Sequence, residues 1–287
     1  MGVFEMEIAP EALQHQKKFY DDRYGAGYME GFDYDVYERC RLYTVRKLLA
    51  AIPPPKRILD YGCGQGRYLA ELRKIFPMAD ICGGDISDVG LEIAKASDPR
   101  TSFLKMDSES IDCADASFDC VISIEVLEHV RDVRKATQEI VRVLKPGGTA
   151  LVTTPCANRF SLEWMKNWLS DGLQPTHDGY GRFATDEPGH LRRLTSRAMS
   201  DLFTSAGADP VIMRFRAHLF TTLVESPIPT RFLSISTRAK CALLDWHLFR
   251  LFPNGATMIA VYRKKQRRSR PANPPLSKRC DRSSHRH

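Results

Sequence analysis

What the 287-residue chain lacks narrows its class before any motif is read. No stretch approaches the roughly 20 apolar residues that cross a bilayer as a helix. The first residues, MGVFEMEIAPEALQHQKK, show no basic start followed by an apolar run. Met6 stands where an acylation signal wants Ser or Thr, so Gly2 is a poor myristoylation site. The cysteines, at positions 40, 63, 82, 113, 120, 156, 241 and 280, contain no CxxC pair. That spacing argues against a zinc site and offers no disulfide framework, which makes the reduced cytosol the expected compartment. An even spread of charge is missing too. From Arg263 onward ten Lys and Arg face Asp281 alone, a net +9 within a total of +7, so the rest of the chain carries −2. The simplest reading of 264–287 is a basic, disordered, solvated tail. Weak contact of that tail with an anionic membrane or a nucleic acid is the alternative.

What is present is enough to bury a large core, with 43% hydrophobic residues. The chain is organised around 57–69, RILDYGCGQGRYL. Ile58 and Leu59 suit a strand buried on both faces, and Asp60 would end it. Gly62, Gly64 and Gly66 then let backbone approach a ligand as a helix begins. A dinucleotide fingerprint would need its third glycine at position 67, where Arg67 stands.

Alternation of strand and helix continues from there. Helix 65–76 is followed by a strand over 79–84 that ends at Asp85, 19 residues after Gly66. In a βαβ unit that distance delivers an acid to a ribose, although Asp85 or Ser87 could also cap the helix over 88–96. A third strand, 102–106, ends at Asp107, and a fourth covers 118–123. An amphipathic helix, 131–144, stops at Lys145-Pro146-Gly147-Gly148 before a fifth strand over 149–154. Helix 196–206, a sixth strand over 210–215 and a last strand over 257–262 complete the pattern, which demands a mostly parallel sheet.

The DYGCGQG run at 60–66 resembles motif I of the class I S-adenosylmethionine-dependent methyltransferases. FDCVISIEVLEHV at 118–130 and LKPGGTALVTTP at 144–155 resemble two further landmarks of the ubiquinone-type O-methyltransferases and the wider methyltransferase type 11 group. The resemblance covers about 40–263. It implies an α/β, Rossmann-like, seven-stranded sheet with helices on both faces, its last strand antiparallel and insertions after strands five and six. The expected division is a helical cap over 1–52, a methyltransferase domain over 53–263 with insertions at about 156–189 and 218–254, and the tail.

The same resemblance implies S-adenosylmethionine as cofactor, held by Asp60, Gly62, Gly64, Gly66, Asp85, Ile86, Asp107, Ser123 and Glu125. Asp107 would accept from the adenine amino group, or else be a surface acid. His129 and His190 lie nearest the methyl end and are the candidates for catalytic base or positioning donor. A structural role is open for each, helix capping for His129 among them. In-line displacement from a sulfonium needs alignment and exclusion of water, with no metal required. Tyr24, Tyr28, Trp164, Trp168, His177 and Tyr180 would line a pocket for a small-molecule acceptor, unless these aromatics form a satellite core. The amphipathic stretch 239–252 would pack on the domain or lie in a lipid interface.

Three functions follow. The first is methyl transfer to a small molecule, at an oxygen, on a quinol-like, lipid-like or glycan-like acceptor. The second is an RNA or protein methyltransferase that uses the basic tail. The third is a catalytically inactive S-adenosylmethionine-binding interaction protein, against which the intact set of acids and glycines argues. No obligate protein partner is evident, and the expected location is cytoplasmic, peripheral to a membrane if tail or amphipathic stretch touches one.

Overall fold

The computed structural model describes residues 10–27, 35–107, 109–176, 181–187 and 189–266. Tyr28, His177, Tyr180 and the tail beyond Gln266 therefore lie outside the described residues. Helices α1 (Pro10–Gly25) and α2 (Val36–Leu49) precede strand β1 (Arg57–Tyr61), helix α3 (Arg67–Ile75), β2 (Asp80–Asp85), α4 (Asp88–Ser97) and β3 (Ser102–Asp107). Next come β4 (Ser110–Ile111), β5 (Phe118–Ile124), α5 (Val133–Val143), β6 (Leu144–Pro155), α6 (Leu162–Leu169), β7 (Leu173–Gln174) and β8 (Arg182–Phe183). Helix α7 (Ser196–Ser205), β9 (Ala208–Arg216), helices α8 (Leu219–Val224), α9 (Pro227–Phe232) and α10 (Ile235–Phe249), and β10 (Thr257–Lys264) complete the chain.

One sheet runs β4-β3-β2-β1-β5-β6-β10-β9. Strands β3, β2, β1, β5 and β6 pair in parallel, and β10 is antiparallel to both β6 and β9. The expected seven strands are there in Rossmann-like order. An eighth, β4, is a two-residue antiparallel addition at the end of β3, too short to leave a period in the sequence. Neighbouring residues serve opposite faces: Ile58 and Ile122 belong to the core under α2, α3 and α4, while Leu59 and Val121 belong to the core under α5 and α7. Burial on both sides is why these strands read as unbroken apolar runs.

Helix ends follow local chemistry. Asp132 caps α5 by accepting from the Arg134 and Lys135 amides, and Ser87, not Asp85, caps α4 through the Gly90 amide. The expected stop at Lys145-Pro146-Gly147-Gly148 is different: α5 ends at Val143, and pairing of Leu144 with Phe118 already starts β6. The glycine at 147, at φ 80°, serves an irregular strand entry.

Parallel strands deliver their carboxyl ends to one edge of the sheet, where ligands of open α/β folds bind. Both insertions rise from that edge, the first after β6 and the second between β9 and β10. In the second, buried Asp245 of α10 accepts from the His218, Phe220 and Thr221 amides and from the Thr221 hydroxyl, which fixes the start of α8. Ala242 and Trp246 of α10 pack on Val36 and Cys40 of α2. Among the described residues no helix is long and apolar enough to cross a membrane.

Candidate active site

The turn from β1 into α3 forms one wall of a cavity of about 420 Å³. Gly62, Gly64 and Gly66 all have positive φ, at 78°, 50° and 85°, a region open to glycine without strain. Gly62 and Gly64 line the cavity, whereas Gly66 is the N-cap of α3. The Gly64 amide donates to Asp85 Oδ2 at 2.8 Å, and the Ser87 amide donates to Oδ1 at 2.9 Å. Burial pushes the Asp85 carboxyl up, against those donors. Each carboxylate oxygen keeps acceptor capacity toward the cavity, which Asp85 lines with Ile86, Met106 and Asp107. Asp60 is buried behind the loop with Oδ2 unpartnered, and burial followed by the Asp85 charge raises it to about 8.

Helix α1 forms the roof; of its residues the sequence reading placed Tyr24 at the pocket, not Gln16, Tyr20 or Arg23. Gln16, Tyr20, Arg23 and Tyr24 face the cavity. Their helix is fastened at both sides: Asp21 accepts from the Ser87 hydroxyl and the Val89 amide, at 2.6 and 3.2 Å, and Arg23 pairs with Glu187 at 2.5 Å. Gln16 Nε2 donates to the His129 carbonyl at 2.7 Å, and Gln65 Nε2 donates to the Tyr24 carbonyl. The helix carries Tyr20 and Tyr24 on to Gly25, where it ends.

A second wall of the cavity is charged. Glu125, in a left-handed conformation at φ 53°, accepts from the Thr153 hydroxyl at 2.7 Å and pairs with Arg41 at 3.1 Å. Burial alone would raise its carboxyl, yet the Arg41 and Arg216 charges prevail and hold it below the usual range. Glu128 is fully buried; its Oε2 accepts from Thr154, Oε1 has no partner, and burial with the Glu125 charge raises its carboxyl. His129 Nδ1 lies 2.8 Å from the Gly189 carbonyl, an acceptor, which assigns the proton to Nδ1 and leaves Nε2 as a lone pair. Burial and the neighbouring His190 charge lower His129 to about 4. His190 goes the other way: burial opposes its charge, but Asp186 and Glu187, at 3.8 and 3.4 Å, raise it to about 9. Donor atoms of Glu128, His129 and His190 lie within 4.8 Å of one another, a set of ligand types a divalent cation accepts.

Buried Arg192 shapes this wall, donating to the carbonyls of Leu127, Val130 and Arg131. Arg193 pairs with both Asp186 and Glu163, tying α6 to the cavity rim. The sequence reading missed Glu128, Arg41, Asp186 and Glu187. The signal for Glu128 was its place inside VLEHV; for Arg41, only a helical neighbour of Cys40, there was none.

Not every expected residue arrives. Ser123 is buried in β5 with its hydroxyl unpartnered and does not line the cavity, nor does Asp60. Strand alternation accounts for both, since Ile124 and Tyr61, one residue on, do line it. Of the six aromatics and histidines expected around the acceptor, Tyr24 lines the cavity. Trp164 and Trp168 do not: α6 turns Asn167 inward, and the two indoles stack on its outer side at 5.9 Å, Trp168 60% exposed. Tyr28, His177 and Tyr180 lie outside the described residues.

Comparison with known proteins agrees with this architecture. A methyltransferase domain family matches residues 32–211. The chain is 29% identical to a ubiquinone biosynthesis O-methyltransferase of Cereibacter sphaeroides over 193 residues, 60% of this chain and 72% of that protein. It is 28% identical to a trans-aconitate 2-methyltransferase of Deinococcus radiodurans over 61% of this chain and 67% of the relative. In structure it is similar to a Haloferax volcanii methyltransferase solved with its Trm112 activator, with TM-score 0.57 and 22% identity over 86% of this chain and 98% of that one. A parallel sheet with a glycine turn and strand-end acids at its carboxyl edge defines a class I methyltransferase fold. This chain belongs to the methyltransferase domain family, and it is an S-adenosylmethionine-dependent methyltransferase. The residues fit that cofactor: Gly62 and Gly64 present backbone held at positive φ to the cavity, and the Asp85 and Asp107 carboxylates stand at the ends of adjacent strands on the same cavity.

Proposed function

We propose that the enzyme methylates a small-molecule acceptor at oxygen, with His129 taking the acceptor's proton. The observation that carries this reading is the His129 ring: its Nδ1–H is committed to the Gly189 carbonyl, which leaves Nε2 unprotonated on a residue that lines the same cavity as the glycine loop. A carbonyl that fixes one nitrogen presents the other as a base. The O-methyltransferase relatives support oxygen as the acceptor atom.

In this reading Gly62 and Gly64 give backbone access to the methionine part of the cofactor, Asp85 accepts from the ribose hydroxyls, and Asp107 with Met106 and Ile86 holds the adenine. Asp60 and Gly66 act through the loop, as a buried brace and as a helix cap. Bound S-adenosylmethionine would supply a methyl group on a sulfonium whose sulfur keeps the C–S electron pair as the methyl is transferred. Everything else falls to the chain's own groups. His129 Nε2 accepts the hydroxyl proton as the acceptor oxygen forms its bond to carbon, and the negative Glu187, 3.8 Å from Nε2, offsets part of the cost that burial and the His190 charge place on the imidazolium. His190, held charged between Asp186 and Glu187, orients an anionic or polar acceptor group. Helix α1 excludes water from above. Free cysteines at every described position support a reduced, cytoplasmic setting.

The test is turnover of S-adenosylmethionine against a panel of phenolic and carboxylic acceptors. With a competent acceptor, His129→Ala is expected to lower kcat by roughly a hundredfold or more while cofactor affinity stays within about a factor of two, below 0.5 kcal/mol. Full turnover in that variant, or a product methylated on nitrogen, would remove the proposal.

A further inference from the structure

Exposed apolar side chains are not spread evenly over this molecule. Of the eighteen large hydrophobic residues exposed among the described residues, fourteen belong to the two insertions, 156–189 and 218–254, which make up about a quarter of the chain. They include Phe160, Trp168 and Leu169 around α6, and Ile228, Phe232 and Leu251 around α9 and α10, with Phe232 81% exposed. The elements that carry them are continuous, since α8 touches α6, α9 and α10. A soluble monomer rarely leaves so many large apolar groups in water unless something covers them.

The charges between them say what covers them. Arg159, Lys166, Arg231 and Lys240 stand exposed in the same segments, and none makes an ion pair among the described residues. The acids of these segments are otherwise engaged: Glu163 and Asp186 pair with Arg193, Glu187 with Arg23, Glu225 with Arg238, and Asp245 is buried against the start of α8. Among the described acids of the insertions, Asp171 is the one left exposed without such a partner. Four free bases against one acid, set among aromatic and leucine side chains, match a surface that is anionic above and hydrocarbon below. A second copy of the chain fits less well, because a two-fold contact through this patch sets bases against bases.

We infer that the α6 and α8–α10 face docks on an anionic lipid surface. The face lies at the carboxyl edge of the sheet, and the Glu163–Arg193 pair links α6 directly to the cavity rim, where Arg193 is part of the lining. Docking there brings the cavity rim at Arg193 to the bilayer, which suits an amphiphilic acceptor delivered from lipid. The last residues of β10 sit at the opposite edge of the sheet, and the insertions carry docking charge of their own. The inference stands apart from the acceptor atom assigned above.

The experiment is co-sedimentation of the full chain with phosphatidylcholine vesicles, with and without phosphatidylglycerol, beside calorimetric S-adenosylmethionine binding as the check on folding. Binding is expected with phosphatidylglycerol and weak without it. Phe232→Glu with Leu251→Glu is expected to lower binding by roughly tenfold or more, and Lys166→Glu with Lys240→Glu by a similar factor, both with cofactor affinity unchanged. A full-length Arg267→Ser, Arg268→Ser, Arg270→Ser variant is expected to keep most of the binding. The inference is overturned if the wild-type chain stays in the supernatant, or if the tail variant loses binding while both insertion variants keep it. It is also overturned if light scattering shows a dimer that the Phe232→Glu, Leu251→Glu variant dissociates and that never binds vesicles.

Discussion

The Tyr24 hydroxyl lies so close to Gly64 that a Cβ on the glycine would come within 2.7 Å of the Tyr24 oxygen. Roof and floor of the cofactor cavity therefore meet at a glycine already held at φ 50°. Gly64→Val combines left-handed strain with that clash and is expected to abolish S-adenosylmethionine binding. Gly25→Ala, with nothing within 4 Å of its Cβ, should leave affinity unchanged. Calorimetry on the pair decides it, and retained affinity in Gly64→Val would mean the loop does not approach the cofactor.

Asp85 is expected to contribute hydrogen bonds of charged type to the ribose. Asp85→Ala should weaken binding by about 1.5–3 kcal/mol, tenfold or more in dissociation constant. Because Asp85 also receives the Gly64 and Ser87 amides, the melting temperature should fall as well. Lower stability with unchanged affinity would reduce Asp85 to a brace of the loop.

His190 makes stability depend on pH. Its folded value of about 9 exceeds the ordinary 6.5, so its contribution is fully present below 6.5 and is lost as pH rises through 9. The upper bound of that loss is about 3 kcal/mol. Asp186, Glu187, Glu128 and His129 surround the ring, and Asp60, raised from 3.8 to about 8, adds a decline that runs between those two values and is complete near pH 8. Thermal melts from pH 6 to 9 should fall steeply for the wild type and less for His190→Gln. Parallel curves would show that His190 gains no proton affinity on folding.

Arg41 is the cation between Glu38 and Glu125, at 2.6 and 3.1 Å. Arg41→Met leaves two buried carboxylates with less compensation and is expected to cost about 3–5 kcal/mol. Denaturant unfolding at pH 7 measures it, and a loss below about 1 kcal/mol would show that Arg67 and Arg216 suffice.

The sheet was legible because each signal was local. Ile58 and Leu59 before Asp60, the glycines after it, and the 3–4 spacing of Val133, Ala136 and Ile140 each specify an element within a few residues. The strand-end acids came with them, since a strand fixes where its last residue goes. The roof was not legible: Gln16, Arg23 and Asp21 find partners more than sixty residues away, and no period in α1 points to them. The aromatic pocket misled for a related reason. Trp164 and Trp168 are one helical turn apart and read as a buried stripe, but the side chain that α6 buries is the polar Asn167, which donates to the Glu163 carbonyl. Composition shows how much apolar surface an insertion has, not which side of it meets the protein.

The central claim is that the loop from Asp60 to Gly66 and the acid Asp85 bind S-adenosylmethionine for methyl transfer. Titration calorimetry of the full chain with S-adenosylmethionine and with its demethylated product tests this most directly. The account predicts a one-to-one isotherm with a dissociation constant on the micromolar scale, about −8 kcal/mol, lost in Gly64→Val. No heat with either compound, from a chain that melts cooperatively, would contradict it.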